Sequence, residues 1–448
     1  MLRAALVSAA LTAALGLPER VQGQDVPATA EAPHEQDWLS LSERGRAYLA
    51  VGELASAESE LRAALAVSEQ FAADDPRRAT AQHNLGHVLF LLDRSIEAEG
   101  YLQQALKWRQ RHLPENAPAT ASALSSLGEL YRAQGHLDKA VHHHREALRI
   151  REAGLHGYHP DVAASLADLA VVLGETGQLE PAFTAMERAL AVRRTIYPDG
   201  HALIGETLAE LAGLQFAAGR IDQAAGTFDE ALTMLEPALG SVHVDLLPVL
   251  NGKAEIHHAR GELGQATDLQ RRAYEICREM RGDRHPDTAR AAHKLADLLL
   301  AQEAYDEAEP LYRQTLAAGD ALLGSDHPEM VMVRTELARL YRQTGRAEDA
   351  LPLLQAALQA QQAAFGANNP GTVLVLNQLA LAQLAAGDID AAQASVEQAL
   401  QVTQVRQTGD HRDMLPSLDI YAQVLEARGA QDAHAATLER IEALRSAL

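Results

Sequence analysis

A pattern of small residues that recurs every 42 residues is the strongest constraint on how this chain folds. Alanine or glycine occurs seven residues before each position of the recurring series, and alanine follows five residues after nine of the ten. We call the ten positions of the series the turn slots: Gly52, Asp93, Gly135, Gly177, Gly219, Gly261, Glu303, Gly345, Gly387 and Gly429. The pattern divides residues 37–448 into ten tandem repeats.

Each repeat is predicted to contain two helices joined at the turn slot. Glycine gives the backbone freedom that a tight helix-turn-helix needs, and small residues at fixed positions let the two helices approach closely. Hydrophobic residues make up 47% of the chain but aromatic residues only 4%, a composition typical of packed helices. Because one repeat cannot bury its apolar face alone, we expect an all-α array whose folding depends on stacking.

Proline marks the predicted start of the first helix in most repeats. It recurs seventeen residues before the turn slot, at Pro76, Pro118, Pro160, Pro286, Pro328 and Pro370. Proline suits the first helical turn, where its missing N–H is not needed. Histidine often precedes this position, and we expect these side chains to bond to the preceding inter-repeat loop: His159, His201, His243, His285, His327 and His411. The two His-Pro-Asp tripeptides that result are therefore interpreted as architectural.

The N-terminal residues have the features of a secretory signal peptide. Arg3 provides a short positive region, and residues 4–17 are apolar but too short to span a bilayer. Small residues suitable for cleavage occur at 21–23 and at 28–30. We therefore predict a signal peptide over 1–23, a disordered spacer over 24–36 and a secreted or periplasmic protein. An amphipathic leader on a cytosolic protein is the alternative.

Composition and motifs argue against several function classes. The net charge of −22 disfavours nucleic-acid binding. No phosphate-binding loop, Gly-x-Ser-x-Gly or His-Glu-x-x-His motif occurs, so we predict neither an enzyme nor a cofactor. Cys277 is the only cysteine and is expected to be a packed thiol. The run His142–His144 cannot converge on one ion, and His83 with His87 gives only two ligands, so no metal is predicted.

The pattern Leu-x-x-Leu-Gly/Ala-x-x-Tyr, then Gly, Ala and Ala-Leu, resembles the tetratricopeptide repeat. Residues 159–201, which open with His-Pro and contain "ALAVRR", show it well, and the 42-residue period is similar to that of kinesin light chains. The resemblance covers roughly 37–448, and repeats 1, 6 and 10 depart from it most. It implies a right-handed α-solenoid that binds peptides or proteins on a concave face lined by the first helices.

The resemblance also implies which positions face the ligand: 4, 7, 8 and 11 residues after the proline position, where nine acidic and four basic residues occur. Asn84, Asn251 and Asn377 match the asparagines that kinesin light chains favour there. The predicted peptide-binding residues are His83, Asn84, His87, Ser126, Asp168, Glu206, Glu210, Asn251, Glu255, His293, Lys294, Asp297, Thr335, Arg339, Asn377 and Gln378.

These features predict an exported protein-interaction scaffold that takes a neutral or basic extended segment, with no nucleic acid and no membrane span. A solvated acidic face with no ligand remains open. So does a self-assembling structural subunit of an envelope complex, a homo-oligomer formed through its terminal repeats. Leu438, Ile441 and Leu444 of repeat 10 would supply its apolar face.

Overall fold

The computed structural model describes residues 33–324, 327–406 and 412–446, which are helical with no strand, and it forms two compact units. The predicted signal peptide and residues 24–32 of the spacer lie outside the described residues. Unit 1 (Met1–Ser241) holds repeats 1–5. Its helices are α1 (Pro33–Ala50), α2 (Leu54–Ser68), α3 (Pro76–Leu91), α4 (Ser95–His112), α5 (Pro118–Ala133), α6 (Leu137–Gly154), α7 (Pro160–Glu175), α8 (Leu179–Ile196), α9 (Ala202–Ala217) and α10 (Ile221–Leu239).

Unit 2 (Val242–Leu448) holds repeats 6–10. Its helices are α11 (Leu247–Ala259), α12 (Leu263–Arg281), α13 (Pro286–Ala301), α14 (Tyr305–Leu323), α15 (Glu329–Gln343), α16 (Ala347–Phe365), α17 (Pro370–Ala385), α18 (Ile389–Arg406), α19 (Leu415–Arg428) and α20 (Gln431–Ser446). In both units the odd-numbered helix is the first of its repeat and packs against the even-numbered second helix. The predicted all-α solenoid of helix-turn-helix repeats is thus confirmed.

All ten turn slots have the left-handed backbone conformation that the repeat pattern predicts. The eight glycines have φ between +74° and +85°, and Asp93 and Glu303 both have φ +59°. An L-residue in this region brings its Cβ close to the following carbonyl oxygen. The turn geometry is therefore imposed by the stacking of helices even where the sequence departs from glycine.

The predicted alanine positions form the closest helix contacts. The alanine five residues after the turn slot has no exposed surface in any of the nine repeats that contain it, from Ala57 to Ala392. At such close-packed positions a side chain larger than alanine would not fit without displacing its neighbours. Among the described residues, no helix combines the length and the apolar character needed to cross a membrane.

The helix starts confirm the role of proline but correct that of histidine. Pro118 and Pro160 are the first residues of their helices. The side chains of His159, His201, His243 and His285 cap the helix that follows and not the preceding loop. Each ring accepts a hydrogen bond at Nδ1 from the backbone N–H two residues later, at 3.1–3.2 Å. This satisfies one of the orphan donors at the helix N-terminus, as the side chains of Asp75 and Asn369 also do.

Three repeats differ from the others at their first helix. In repeats 6 and 10 a 3₁₀ turn, Val244–Leu246 or Arg412–Met414, precedes the α-helix. Both repeats lack the usual proline and carry one four residues later, at Pro248 and Pro416. In repeat 1 the helix begins at Pro33, so residues 33–36, which we assigned to the spacer, belong to the solenoid.

The left-handed turn predicts opposite effects for two matched substitutions. Glu303→Gly removes the strain of an exposed L-residue at φ +59° and should raise the free energy of unfolding by about 1 kcal/mol. Gly345→Ala at φ +76°, where no atom lies within 4 Å of the added Cβ, should lower it by a similar amount. Urea unfolding followed by circular dichroism measures both changes. A loss of stability in Glu303→Gly would contradict the prediction.

Candidate functional site

The first helices of neighbouring repeats contact one another within each unit. In unit 1 these contacts join α3 to α5 and α7 to α9, and in unit 2 they join α13 to α15, α15 to α17 and α17 to α19. We call the surface that they form the first-helix face. It consists of the residues 4, 7, 8 and 11 positions after the proline position, and it is considered separately in each unit.

Glu129 is a face residue that the predicted set omits, and its carboxylate has contacts on both oxygens. Arg132 lies 2.8 Å from its Oε2, and Nε2 of His144 in the second helix lies 3.4 Å from its Oε1. Arg132 also contacts Glu175 of the next repeat at 3.0 Å. Burial alone would raise the pKa of Glu129, but the contact with His144 and the charge of Arg132 lower it to about 2.

Asp168 and Glu210 are in the opposite electrostatic situation. Burial raises the pKa of Asp168, and it raises the pKa of Glu210 to about 7, with Arg193 opposing the shift and Asp168 reinforcing it. Oε2 of Glu210 is buried and has no hydrogen-bond partner. Glu206, also predicted, lies one helical turn before Glu210 on α9. Among these three residues of the first-helix face, Glu129 is therefore firmly ionised, whereas Asp168 and Glu210 hold their protons to higher pH.

Three buried arginines lie beneath this face, and the sequence analysis did not include them. Arg109, Arg151 and Arg193 each stand sixteen residues after a turn slot and are 7%, 8% and 5% exposed. Arg151 donates to the hydroxyl groups of Ser125 and Ser165, and Arg193 to that of Thr207. Their charges partly offset the acids above them, which weakens the predicted preference for a basic ligand in unit 1.

The predicted residues of repeats 2 and 3 are half-buried. Burial lowers the pKa of His83 far below its usual value, helped by the charge of Arg109, and it also lowers the pKa of His87. Nδ1 of His83 has no hydrogen-bond partner. Asn84 and Ser126 occupy position 8 in α3 and α5. Across 33–324, 327–406 and 412–446, no group of three or more His, Cys, Asp or Glu residues is placed to hold a metal ion.

The face of unit 2 carries paired charges. Lys294 lies 3.3 Å from Glu255 of the preceding repeat. Asp297 accepts a 2.6 Å hydrogen bond from the phenol of Tyr312, and Nε2 of His293 lies 3.5 Å from the same oxygen. Arg339 pairs with Glu336 in the same helix at 2.8 Å. Glu255 and Glu336 thus have cationic partners, whereas Asp297 is held by a neutral phenol.

Of the predicted amide and hydroxyl residues of unit 2, two make hydrogen bonds within the chain and two have an oxygen without a partner. Asn377 is 6% exposed and accepts from the hydroxyl of Ser417, while Thr335 is 4% exposed and donates to the Val331 carbonyl. In contrast, Oδ1 of Asn251 and Oε1 of Gln378 are buried without a hydrogen-bond partner. Asn251 and Gln378 therefore have hydrogen-bonding capacity that the chain does not use.

The apolar positions proposed for self-assembly are mostly covered. Ile441 is 2% exposed and packs with Leu400 and Leu418, and Leu444 is packed against the same cluster. Leu438 is 43% exposed.

Comparison with known proteins gives a consistent match. The family model described as "Tetratricopeptide repeat" matches seven overlapping segments, residues 39–111, 77–153, 119–195, 161–237, 203–279, 245–321 and 329–404. No curated protein matches the chain.

Two solved structures with TM-scores above 0.5 share the fold at low sequence identity. A signal transduction ATPase with a tetratricopeptide repeat sensor from Pyrococcus horikoshii is 14% identical, with a TM-score of 0.59 over 85% of this chain and 54% of that one. The apo quorum sensor NprR from B. thuringiensis is 14% identical, with a TM-score of 0.51 over 82% of this chain and 99% of that one. Kinesin light chain repeats from Podosopora anserina are 22% identical over 56% of this chain and 99% of theirs, with a TM-score of 0.31.

The raised pKa of Glu210 predicts a specific pH dependence of stability. A carboxyl that binds its proton more tightly when folded stabilises the protein fully below its unfolded pKa, and this contribution is lost as the pH rises toward 7. The free energy of unfolding should therefore fall between about pH 5 and pH 7, with a limiting slope of about 1.4 kcal/mol per pH unit from this group.

Glu210→Gln should flatten that slope, because the amide does not ionise. Urea unfolding at several pH values measures the slope, and Glu187→Gln, at an exposed position of α8, is the control that should leave it unchanged. An identical slope in wild type and Glu210→Gln would contradict the prediction.

Proposed function

Since the chain belongs to the tetratricopeptide repeat family, we propose that it is an exported, non-catalytic interaction scaffold that binds an extended segment of a partner protein on its first-helix face. The observation that carries the proposal is the set of unused acceptors on that face. Glu210, Asn251 and Gln378 each have a buried oxygen without a hydrogen-bond partner, and they occupy positions 7 or 8 of their repeats. Leaving a buried polar group unpaired costs about 1–3 kcal/mol.

The three side chains are half-buried, so a change of rotamer can turn each oxygen toward an extended peptide, which then supplies the missing partners. Its backbone N–H groups can donate to the carboxyl and amide oxygens, and its carbonyls can accept from the amide N–H groups of Asn251 and Gln378. Such contacts bind the backbone of the peptide and therefore do not require a particular peptide sequence. Many weak contacts along the stacked repeats of one unit would then sum, because packed helices have little ordering cost of their own.

The charge of the preferred segment follows from the balance on the face. Glu129 is firmly ionised and half-buried, whereas the acids of unit 2 are paired with Lys294 or Arg339 or hydrogen-bonded to Tyr312. A neutral segment with occasional cationic side chains suits this balance better than a uniformly basic one. Electrostatic complementarity of this kind sets specificity more than affinity.

Photo-crosslinking tests which surface the partner occupies. A photoreactive amino acid at Ser126, on the first-helix face, should yield a crosslinked partner in envelope preparations, while the same group at exposed Arg149 on second helix α6 should not. Once that partner is identified, the double variant Asn251→Ala and Gln378→Ala should bind it about tenfold more weakly by calorimetry, since two hydrogen bonds are lost.

Two outcomes of this experiment would contradict the proposal. Crosslinking from Arg149 alone would place the partner on the second helices. If instead both positions crosslink to a second copy of this chain and the mass by light scattering rises with concentration, the chain is a self-assembling structural subunit.

Export is a separate part of the proposal and rests on Arg3 and the apolar residues 4–17. Cell fractionation followed by N-terminal sequencing of the mature protein should find it in the envelope or medium, beginning after Gly23 or after Ala30. Replacing Leu11 and Leu15 with Gln should retain the uncleaved chain in the cytoplasm. An intact N-terminus in a cytosolic wild-type protein would contradict export.

A further inference from the structure

One position of the second helix, which is buried in nine of the ten repeats, varies in step with one position of the first-helix face. The position nine residues after the turn slot, which we call the buried slot, is apolar in seven repeats and polar in three, as His144, Gln270 and Tyr312. The same three repeats, and no others, carry an acid at face position 11: Glu129, Glu255 and Asp297. Ten repeats of one chain thus provide an internal comparison that links the two positions.

The structure shows direct contact in two of these three repeats. His144 has no exposed surface, and its Nε2 lies 3.4 Å from Glu129 Oε1. Tyr312 also has no exposed surface, and its hydroxyl donates to Asp297 Oδ1 at 2.6 Å. Burial, and then the charge of Asp297, raises the pKa of Tyr312, so the phenol keeps the proton that it donates. In repeat 6, Gln270 is 2% exposed, while Glu255 is held from the face by Lys294.

Simple packing does not explain a polar residue at the buried slot. In repeats 1 and 2, Leu61 and Leu102 occupy it and pack directly against Gly45 and Gly86 of the first helix. His144 packs against Gly128 in the same way, yet its two ring nitrogens are buried and neither has a well-formed hydrogen bond. Burying an imidazole where leucine fits costs free energy unless the ring serves its neighbour.

We propose that the polar residue in the buried slot positions the carboxylate of the same repeat, His144 for Glu129 and Tyr312 for Asp297, and that these two carboxylates are where the scaffold contacts cationic side chains of its partner. The inference rests on the proposed function for its second part only. Each carboxylate remains accessible, since the side chains of Glu129 and Asp297 are 23% and 47% exposed. A carboxylate that is already held in one orientation loses little conformational entropy when a guanidinium or ammonium group binds to it.

Other charged groups also act on Glu129, and the test must separate them from His144. They come from its own helix and from α3, α7 and α9: Arg132, His87, Asp168, Glu175 and Glu210. Of these, Arg132 makes the direct ion pair. A variant that removes only the imidazole therefore distinguishes positioning by His144 from pairing with Arg132.

His144→Leu is the decisive variant, because leucine is the residue that repeats 1 and 2 carry at this position. The side-chain carboxyl of Glu129 is followed by ¹³C NMR with labelled glutamate between about pH 7 and pH 3.5, and Glu129→Gln identifies its signal. In the wild type Glu129 should stay ionised throughout. In His144→Leu its titration midpoint should rise by at least about one pH unit and fall within this range.

Two further variants guard the interpretation. His144→Gln keeps an N–H donor, as Gln270 does in repeat 6, and should restore the low midpoint. His143→Leu removes the neighbouring half-buried imidazole and should change nothing. If His144→Leu does not fold, His144→Met replaces it, since Met186 fills this position in repeat 4. A signal that stays ionised in His144→Leu or His144→Met would overturn positioning by His144.

A binding measurement tests the second part of the proposal. The probes are a Gly-Ser peptide that contains arginine and the same peptide with citrulline, which removes the charge but keeps the shape. The wild type should bind the arginine peptide about fivefold more tightly, and His144→Leu should lose that difference. Equal binding of both peptides by the wild type would overturn the cation contact. If neither peptide binds the wild type and crosslinking at Ser126 also yields no partner, the result would instead count against the proposed function.

Discussion

The close approach of the two helices within each repeat is the contact on which the rest of the structure depends. A Cβ added to Gly45, Gly86 or Gly128 would lie 2.6–2.8 Å from the side chain in the buried slot, so these positions accept no larger residue without displacement. Alanines farther along the second helix are equally inaccessible. Since each repeat buries its apolar surface only by stacking, this spacing must be kept in every repeat for the array to continue.

The same spacing brings the buried slot within reach of the first-helix face. A side chain that passes the small residue of the first helix reaches the residue at position 11 on the other side. Leucine at the slot only fills space, whereas histidine or tyrosine there contacts a carboxylate that is partly exposed on the face. The tight packing that holds the repeats together is therefore also the route by which core residues control the chemistry of the surface.

The repeat pattern predicted the architecture well because it depends on local backbone requirements. Each of these residue types is required by the geometry of a single helix or turn: proline at Pro118 and Pro160, glycine at the turn slots and alanine at the buried positions. The structure confirms all three. The caps formed by His159 and His285 were missed, although imidazole Nδ1 at the residue before the helix is a suitable acceptor.

The state of individual side chains on the face could not be predicted in the same way. Asn377 matches a ligand-binding pattern but its amide is held by Ser417, which is 40 residues away in the chain. Glu129 was passed over because nothing near it in sequence reveals that His144 lies against it. Such pairs depend on two positions in different helices at once. The covariation of positions among the ten repeats was the available signal.

Unit 1 and unit 2 show that one scaffold can carry different electrostatics. Sixteen residues after the turn slot, repeats 2–4 of unit 1 have the buried arginines Arg109, Arg151 and Arg193, while repeats 6–9 of unit 2 have Cys277, Gly319, Gln361 and Thr403. The acids of unit 1 therefore lie above fixed internal cations, and those of unit 2 are balanced by surface residues such as Lys294. Because surface pairs exchange partners more easily than buried ones, a ligand can displace the ion pairs of unit 2 at lower cost. We expect cationic partner side chains to meet fixed carboxylates at Glu129 and Asp297, and exchangeable ion pairs at Glu255 and Glu336 of unit 2.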